Sequence, residues 1–140
     1  MIEAWFDGAC EPRNPGGHAT WGVFIAPDTE LYGYVGHGSK MSNNVAEYTA
    51  AAEALRALMP QRGEEIVLRG DSKLVVEQLN GRWQVGGGLY LPYYELAQEL
   101  TQEFTRLSIE WVPRDQNARA DALSKKALSE RGIAVRTTSN

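Results

Sequence analysis

The chain has 140 residues, 14 Lys and Arg against 18 Asp and Glu for a net charge of −4, 43% hydrophobic residues, one Cys and two His. At roughly 100–200 residues per domain this is one domain with enough apolar content for a core, and a single Cys excludes a disulfide framework or a Cys-rich zinc site. The mild acidity excludes a protein that holds nucleic acid by bulk charge alone, but not an enzyme that meets phosphates through bound cations.

Residues 2–10 read as a first strand, ended by the turn-rich Glu11-Pro12-Arg13-Asn14-Pro15-Gly16-Gly17. Residues 20–26 and 31–37 read as second and third strands, joined by Pro27-Asp28-Thr29. The period then changes: Val45, Tyr48, Ala52, Leu55 and Met59 recur at three- and four-residue steps, a helix stripe that Pro60 and Gly63 stop. Ile66-Val67-Leu68 is a short apolar run ending near Gly70, the pattern of a central strand buried on both faces. A short helix over 72–80, a break at Gly86-Gly87-Gly88 and a helix from Pro92 through 104 follow. Leu107, Ile109 and Trp111 alternate as a fifth strand ending at Pro113, and a last helix runs over 117–130. The order predicts one α/β domain over residues 1–131. Its sheet has five mixed strands, three antiparallel meander strands plus crossover strands, with helices packed on it. Residues 132–140, polar from Arg136 onward, are expected to form a flexible tail. No stretch approaches the roughly 18 apolar residues of a membrane span. Met1-Ile2-Glu3-Ala4-Trp5-Phe6-Asp7 has no basic region leading into an apolar run, so no secretory signal and a cytoplasmic setting are expected.

Acids fall where ligands usually bind in such sheets, at strand ends and the helix starts beside them. Asp7 lies inside the first strand, between Trp5-Phe6 and the small Gly8-Ala9. An acid there is costly unless it is paired or holds a metal ion, and no capping role explains it. Asp71 follows Gly70, Glu47 falls in the first turn of the first long helix, and Asp121 in the first turn of the last, among Ala118, Ala120 and Ala122. Each of these three has a structural alternative. Asn44-Val45-Ala46-Glu47 is close to a capping box; Asp71 or Ser72 can cap the following helix; and Asp121 gains roughly 0.3–1 kcal/mol from the helix dipole. If the sheet gathers all four into one pocket, their charges raise one another's pKa and need divalent cations to coexist. Two Mg²⁺ would balance them. Oxygen-only ligands suit Mg²⁺ or Mn²⁺, whereas zinc would want His or Cys. A pair of such ions about 4 Å apart suits phosphoryl transfer, one activating water and the other stabilising the leaving oxygen.

Phe6-Asp7-Gly8-Ala9-Cys10 with Asn14-Pro15-Gly16-Gly17, then Ser42-Asn43-Asn44-Val45-Ala46-Glu47, Gly70-Asp71-Ser72, and Trp111-Val112-Pro113 with Asn117-Ala118-Arg119-Ala120-Asp121 resembles type 1 ribonuclease H. The blocks occur in family order along essentially the whole chain. The resemblance implies the five-stranded mixed sheet and two Mg²⁺, or Mn²⁺ as substitute, held by Asp7, Glu47, Asp71 and Asp121. It also implies endonucleolytic hydrolysis of the RNA strand of RNA–DNA hybrids, leaving 5′-phosphate and 3′-hydroxyl ends. Asp7 and Asp71 would touch both ions and the scissile phosphate, Glu47 would hold one ion and sense the neighbouring 2′-hydroxyl, and Asp121 would complete the other ion's shell. Asn14, Asn43 and Asn44 would contact the hybrid in the minor groove, where neutral amides can donate and accept at once. Ser42 would bind a DNA-strand phosphate, and Trp83 would pack along the DNA strand, its alternative being a core or domain-edge aromatic. Asn117 is either a substrate contact or the N-cap of the last helix.

Three departures from the family pattern stand out. The link Gln84-Val85-Gly86-Gly87-Gly88-Leu89-Tyr90 holds no Lys or Arg where many members carry a basic helix-and-loop insertion. A compact subgroup with lower hybrid affinity and a shallower salt slope is therefore expected. Pro113-Arg114-Asp115-Gln116 lacks the His that often assists proton movement or product release. Arg114 can supply charge there but not a proton shuttle. Lys73 stands where many members have Gln, to meet a phosphate or remain a solvated helix charge. His18 and His37 read as surface or turn residues, since no G-x-S-x-G accompanies them, and Cys10 as a small buried residue. Cleavage of double-stranded RNA as well, by a monomer, fits a compact member. A catalytically silent hybrid-binding module is the competing class, motivated by the absent His. A transposase of the same architecture would need DNA-end binding domains for which 140 residues leave no room.

Overall fold

The computed structural model describes residues 1–136. The elements are β1 (Ile2–Glu11), β2 (His18–Ile25), β3 (Thr29–His37), α1 (Asn43–Leu58), β4 (Glu65–Gly70), α2 (Lys73–Leu79), α3 (Leu91–Thr101), β5 (Arg106–Trp111) and α4 (Ala118–Ser129), with 3₁₀ turns at Met59–Gln61 and Arg114–Gln116. They form one five-stranded sheet in the order β3-β2-β1-β4-β5. The β1–β2 and β2–β3 pairs are antiparallel; β1–β4 and β4–β5 are parallel. The predicted meander plus crossovers is therefore the topology found. Parallel pairing after β3 needs crossover connections, which α1 and the α2–α3 pair supply.

Helix α1 packs on β1 and β2 and meets α3, while α4 covers β1, β2 and β3 from the opposite face. Between α1 and the sheet lies the core, with Ala4, Phe6, Val23, Tyr48, Leu55, Ile66 and Leu68 buried. Two glycines let the helices approach closely enough to matter for the acids. A Cβ on Gly8 would overlap the α1 backbone at Ala46 and Glu47, and one on Gly22 would overlap the α4 backbone at Ala120 and Ser124. Gly22 is the cross-strand partner of Asp7, so the helix that carries Asp121 descends directly beside Asp7. Thr20 Oγ1 fixes α4 there by donating to the Ser124 carbonyl at 2.8 Å.

Several boundaries differ from those the sequence predicts. Helix α3 ends at Thr101 rather than 104. Ser42 caps α1, its hydroxyl accepting from Val45 N–H, so Glu47 lies beyond the first turn and closes no capping box. Ser72, not Asp71, caps α2. Of the segment expected to be loose, Arg136 is fastened. Its main-chain N–H and Nε each donate to Glu11 Oε1 at 2.9 Å. Positions 137–140 lie outside the described residues. No helix among the described residues is long and apolar enough to cross a membrane.

Replacing Gly8 by Ala forces α1 off β1 and is expected to cost about 3 kcal/mol, as severe overpacking does. Gly86→Ala, where a Cβ meets nothing within 4 Å, should stay within about 0.5 kcal/mol of the parent. Urea denaturation of both variants measures the difference.

Candidate active site

Asp7 projects from the middle of β1 toward α4 and is only 5% exposed, while Glu47, on the inner face of α1, is 6% exposed. Helix α1 lies so close to Gly8 that the Gly8 N–H donates to Glu47 Oε1 at 2.9 Å, binding the acid to the strand that carries Asp7. Asp71 enters from the carboxyl end of β4, next to β1 in the sheet. Donor oxygens of Asp7, Glu47 and Asp71 lie within 4.8 Å of one another. Asp121 approaches from the first turn of α4, close enough to raise the Asp7 carboxyl. Its Oδ2 is held by Lys125 Nζ at 3.1 Å on the same helix. Asp7, Glu47 and Asp121 line a cleft of about 400 Å³ with Asn43, Arg114 and Lys125 on its walls.

The cluster is electrostatically unfinished. Burial, then the charges of Glu47 and Asp71, and then Asp121 push the Asp7 carboxyl up to about 11. Burial and the Asp71 charge raise Glu47 well above its usual range, against the opposing Gly8 N–H. Asp71 is raised chiefly by burial, opposed by a hydrogen bond from Asn117 and by the charge of Arg114. Carboxylates forced together out of water hold protons unless cations join them. An all-oxygen donor set of this charge fits Mg²⁺ or Mn²⁺, and the absence of His and Cys from it disfavours zinc.

The remaining predicted residues are dispersed around this centre. Asn14 and Asn43 meet, the Asn43 N–H at the start of α1 donating to Asn14 Oδ1 in the loop after β1 at 2.8 Å. Asn44 and Ser42 follow on the same helix start, both half-buried. Trp83 stands 45% exposed in the loop after α2. That loop is held by Gln78, whose Nε2 donates to the Gln84 carbonyl at 3.0 Å. Lys73 is exposed at the start of α2, and Arg114 is exposed in the turn after β5. Asn117 occupies the N-cap position of α4, but its side chain makes no capping hydrogen bond and does not reach the surface. It is 1% exposed, and its Nδ2 donates to the Phe6 carbonyl at 2.9 Å and to Asp71 Oδ2 at 3.3 Å. Asn117 is thus a positioning residue that spans β1 and Asp71. His18 and His37 stack on each other across β2 and β3, ring centres 3.9 Å apart, and do not line the cleft. Lys125 was missed by the sequence reading; its place four residues after Asp121, one helical turn on, is the signal that could have found it.

Residues 5–127 match the family model described as "Reverse transcriptase-like". The chain is 39% identical over 133 residues to ribonuclease HI of Halobacterium salinarum, covering 92% of this chain and 65% of that protein's length. It is 32% identical over 146 residues to ribonuclease H of Granulibacter bethesdensis, covering 93% of each. Among solved structures, a ribonuclease H1 designated LC11, crystallised in complex with an RNA/DNA hybrid, superposes with a TM-score of 0.82 at 29% identity. It covers 94% of this chain and 99% of that one.

Raised carboxyl pKa values mean that the folded chain binds more protons than the unfolded chain. Their contribution to metal-free stability is present below about pH 4 and is lost as pH rises through the folded values toward about 11 at Asp7. Thermal melts in EDTA should therefore fall in midpoint from pH 6 to pH 9. Added Mg²⁺ should raise the midpoint by more at the higher pH, because cation binding displaces those protons. Asp7→Asn should raise the EDTA midpoint and diminish the Mg²⁺ response.

Proposed function

The chain belongs to the type 1 ribonuclease H family, and on that premise we propose that it is a divalent-metal-dependent endonuclease that hydrolyses the RNA strand of RNA–DNA hybrids, leaving 5′-phosphate and 3′-hydroxyl ends. The observation that carries the reading is the meeting of Asp7, Glu47 and Asp71, with donor oxygens within 4.8 Å, in a cleft that Asp121 enters from a fourth element. Two Mg²⁺, or Mn²⁺ in their place, held by these four acids would supply activation of the attacking water and stabilisation of the leaving oxygen.

The protein's own contribution is positional. Asp7 and Asp71 come from neighbouring parallel strands and face the scissile phosphate. The Gly8 N–H holds Glu47, and Asn117 holds Asp71, so neither carboxylate must reorganise when substrate arrives. Arg114 offers the charge of its guanidinium to the departing phosphate and no route for a proton. Asn14, Asn43 and Asn44 present amides to the 2′-hydroxyl side of the duplex. The Ser42 oxygen accepts from Val45 N–H, which leaves its own proton free for a DNA-strand phosphate. Trp83 offers its exposed ring to the DNA strand beyond. The molecule acts as a cytoplasmic monomer. Tolerance of a second RNA strand, and hence cleavage of double-stranded RNA, accords with the absence of a basic insertion in the link 84–90.

Loss of one ligand should exceed the roughly 10–100-fold cost typical of outer-shell partners. Asp71→Asn is therefore expected to abolish hybrid cleavage in Mg²⁺ and in Mn²⁺. The assay follows a labelled RNA strand, with an all-DNA duplex as control and a matched RNA–RNA duplex at the same salt. Normal cleavage by Asp71→Asn would refute the assigned chemistry. A wild-type chain that binds hybrid without product in either metal would establish the silent binding module instead.

A further inference from the structure

The β5 side of the cleft carries a feature that neither the acids nor the Asn patch uses. Trp111 ends β5 directly opposite Gly70, the residue before Asp71. Its indole N–H donates to the main-chain carbonyl of Asp71 at 3.2 Å, yet 43% of the residue remains exposed. Lys73, first residue of α2, places Nζ 5.0 Å from the centre of the indole ring. Glu77, one turn further along α2, is engaged by Arg82, and Lys73 forms no ion pair among the described residues. The ring is held by a hydrogen bond and a cation next to Asp71 and is still open to solvent, so its position is fixed while part of its surface is free to meet a ligand.

We propose that Lys73 and Trp111 form a contact site for the sugar–phosphate backbone of the RNA strand next to the scissile bond, Lys73 taking a phosphate and the indole face taking the adjoining ribose. The site rests on the reading that Asp71 faces the scissile phosphate. Lys73 opens α2 two residues after Asp71, so a phosphate backbone that runs past Asp71 toward α2 would pass beside it. Its contact with the ring narrows the positions of a flexible side chain before substrate arrives, which lowers the entropy lost on binding. Neutralising a phosphate there releases a counterion, and the ring shields the resulting pair from water. The chain offers no lysine or arginine in the link 84–90, so such contacts must come from the rim of the cleft.

Two measurements on the full chain test this: anisotropy of a fluorescein-labelled RNA–DNA hybrid across a KCl series in EDTA, and steady-state cleavage in Mg²⁺. Lys73→Gln should raise KM about fivefold with kcat within about twofold, and should lower the slope of log affinity against log salt by about one. Trp111→Leu should raise KM by a similar factor, and Trp111→Phe, which keeps a ring but lacks the N–H, should restore KM to within about twofold of wild type. An unchanged KM and salt slope for Lys73→Gln would overturn the site. So would a Trp111→Phe as impaired as Trp111→Leu with the loss confined to kcat, because Trp111 would then act only by positioning Asp71. Should Trp111→Leu fail to fold by circular dichroism, Lys73→Gln and Trp111→Phe still decide. A wild type that cuts no hybrid refutes the proposed function, whereas the dependence of the anisotropy salt slope on Lys73 still judges the contact site.

Discussion

Repulsion between desolvated carboxylates is the constraint around which this molecule is arranged. Two unit charges 4 Å apart repel by about 4 kcal/mol at an effective dielectric near 20. Three such pairs, all ionised, rival the roughly 5–15 kcal/mol by which a domain of this size is stable. Donor oxygens of Asp7, Glu47 and Asp71 lie within 4.8 Å of one another, only slightly farther apart, and two of these acids are almost wholly removed from water. The cluster therefore exists either protonated or neutralised by cations. Because Asp7 comes from β1 and Glu47 from α1, the choice bears on the two elements at the centre of the core.

What resists the repulsion is close packing backed by single hydrogen bonds. Gly8 and Gly22 let α1 and α4 approach β1 from opposite faces at backbone contact, so the acids they carry cannot drift apart without opening the sheet–helix interface. The Gly8 N–H then fixes Glu47, and the Asn117 amide fixes Asp71 together with the Phe6 carbonyl. Asn117 Oδ1 is buried with no hydrogen-bond partner among the described residues, as is Gln98 Oε1 on α3.

The acids were legible in the sequence because one of them breaks a rule. Asp7 interrupts an apolar strand and has no cap to occupy, and the other three fall at element ends, which is also where periodicity places the boundaries. The meander and the crossovers followed from the three-strand run and the helical periods after it; the order of the strands in the sheet did not. Side-chain direction was less legible. Ser42 and Asn44 are both good N-caps, and the choice of Ser42 starts α1 early enough to carry Glu47 past the first turn and onto the inner face. Asn117 reads as a cap by residue type, yet its backbone (φ −120°, ψ 25°) is not the extended conformation that caps adopt, and its side chain turns inward. Trp111 continues the alternation of Leu107 and Ile109 and so reads as a core residue. It is exposed because β5 is the edge strand and residue 111 is its last. In each case the pattern gave the element, and tertiary contacts chose among its permitted side-chain directions.

The same charges that make cations necessary also shape how a polyanion can approach. The chain carries a net charge of −4, and its most concentrated negative region is the cleft itself, so a phosphate backbone meets a barrier at the point where it must come closest. Positive groups stand on the rim rather than in the centre. Arg114 acts on Glu47 and Asp71 from outside, and Lys125 is already committed to Asp121. Rim charges are screened within roughly 8 Å at physiological ionic strength, too short a reach to draw a duplex in from solution against the acid cluster. Cation binding to the acids and phosphate binding to the cleft therefore reinforce each other. By linkage, each raises the affinity for the other by the same factor.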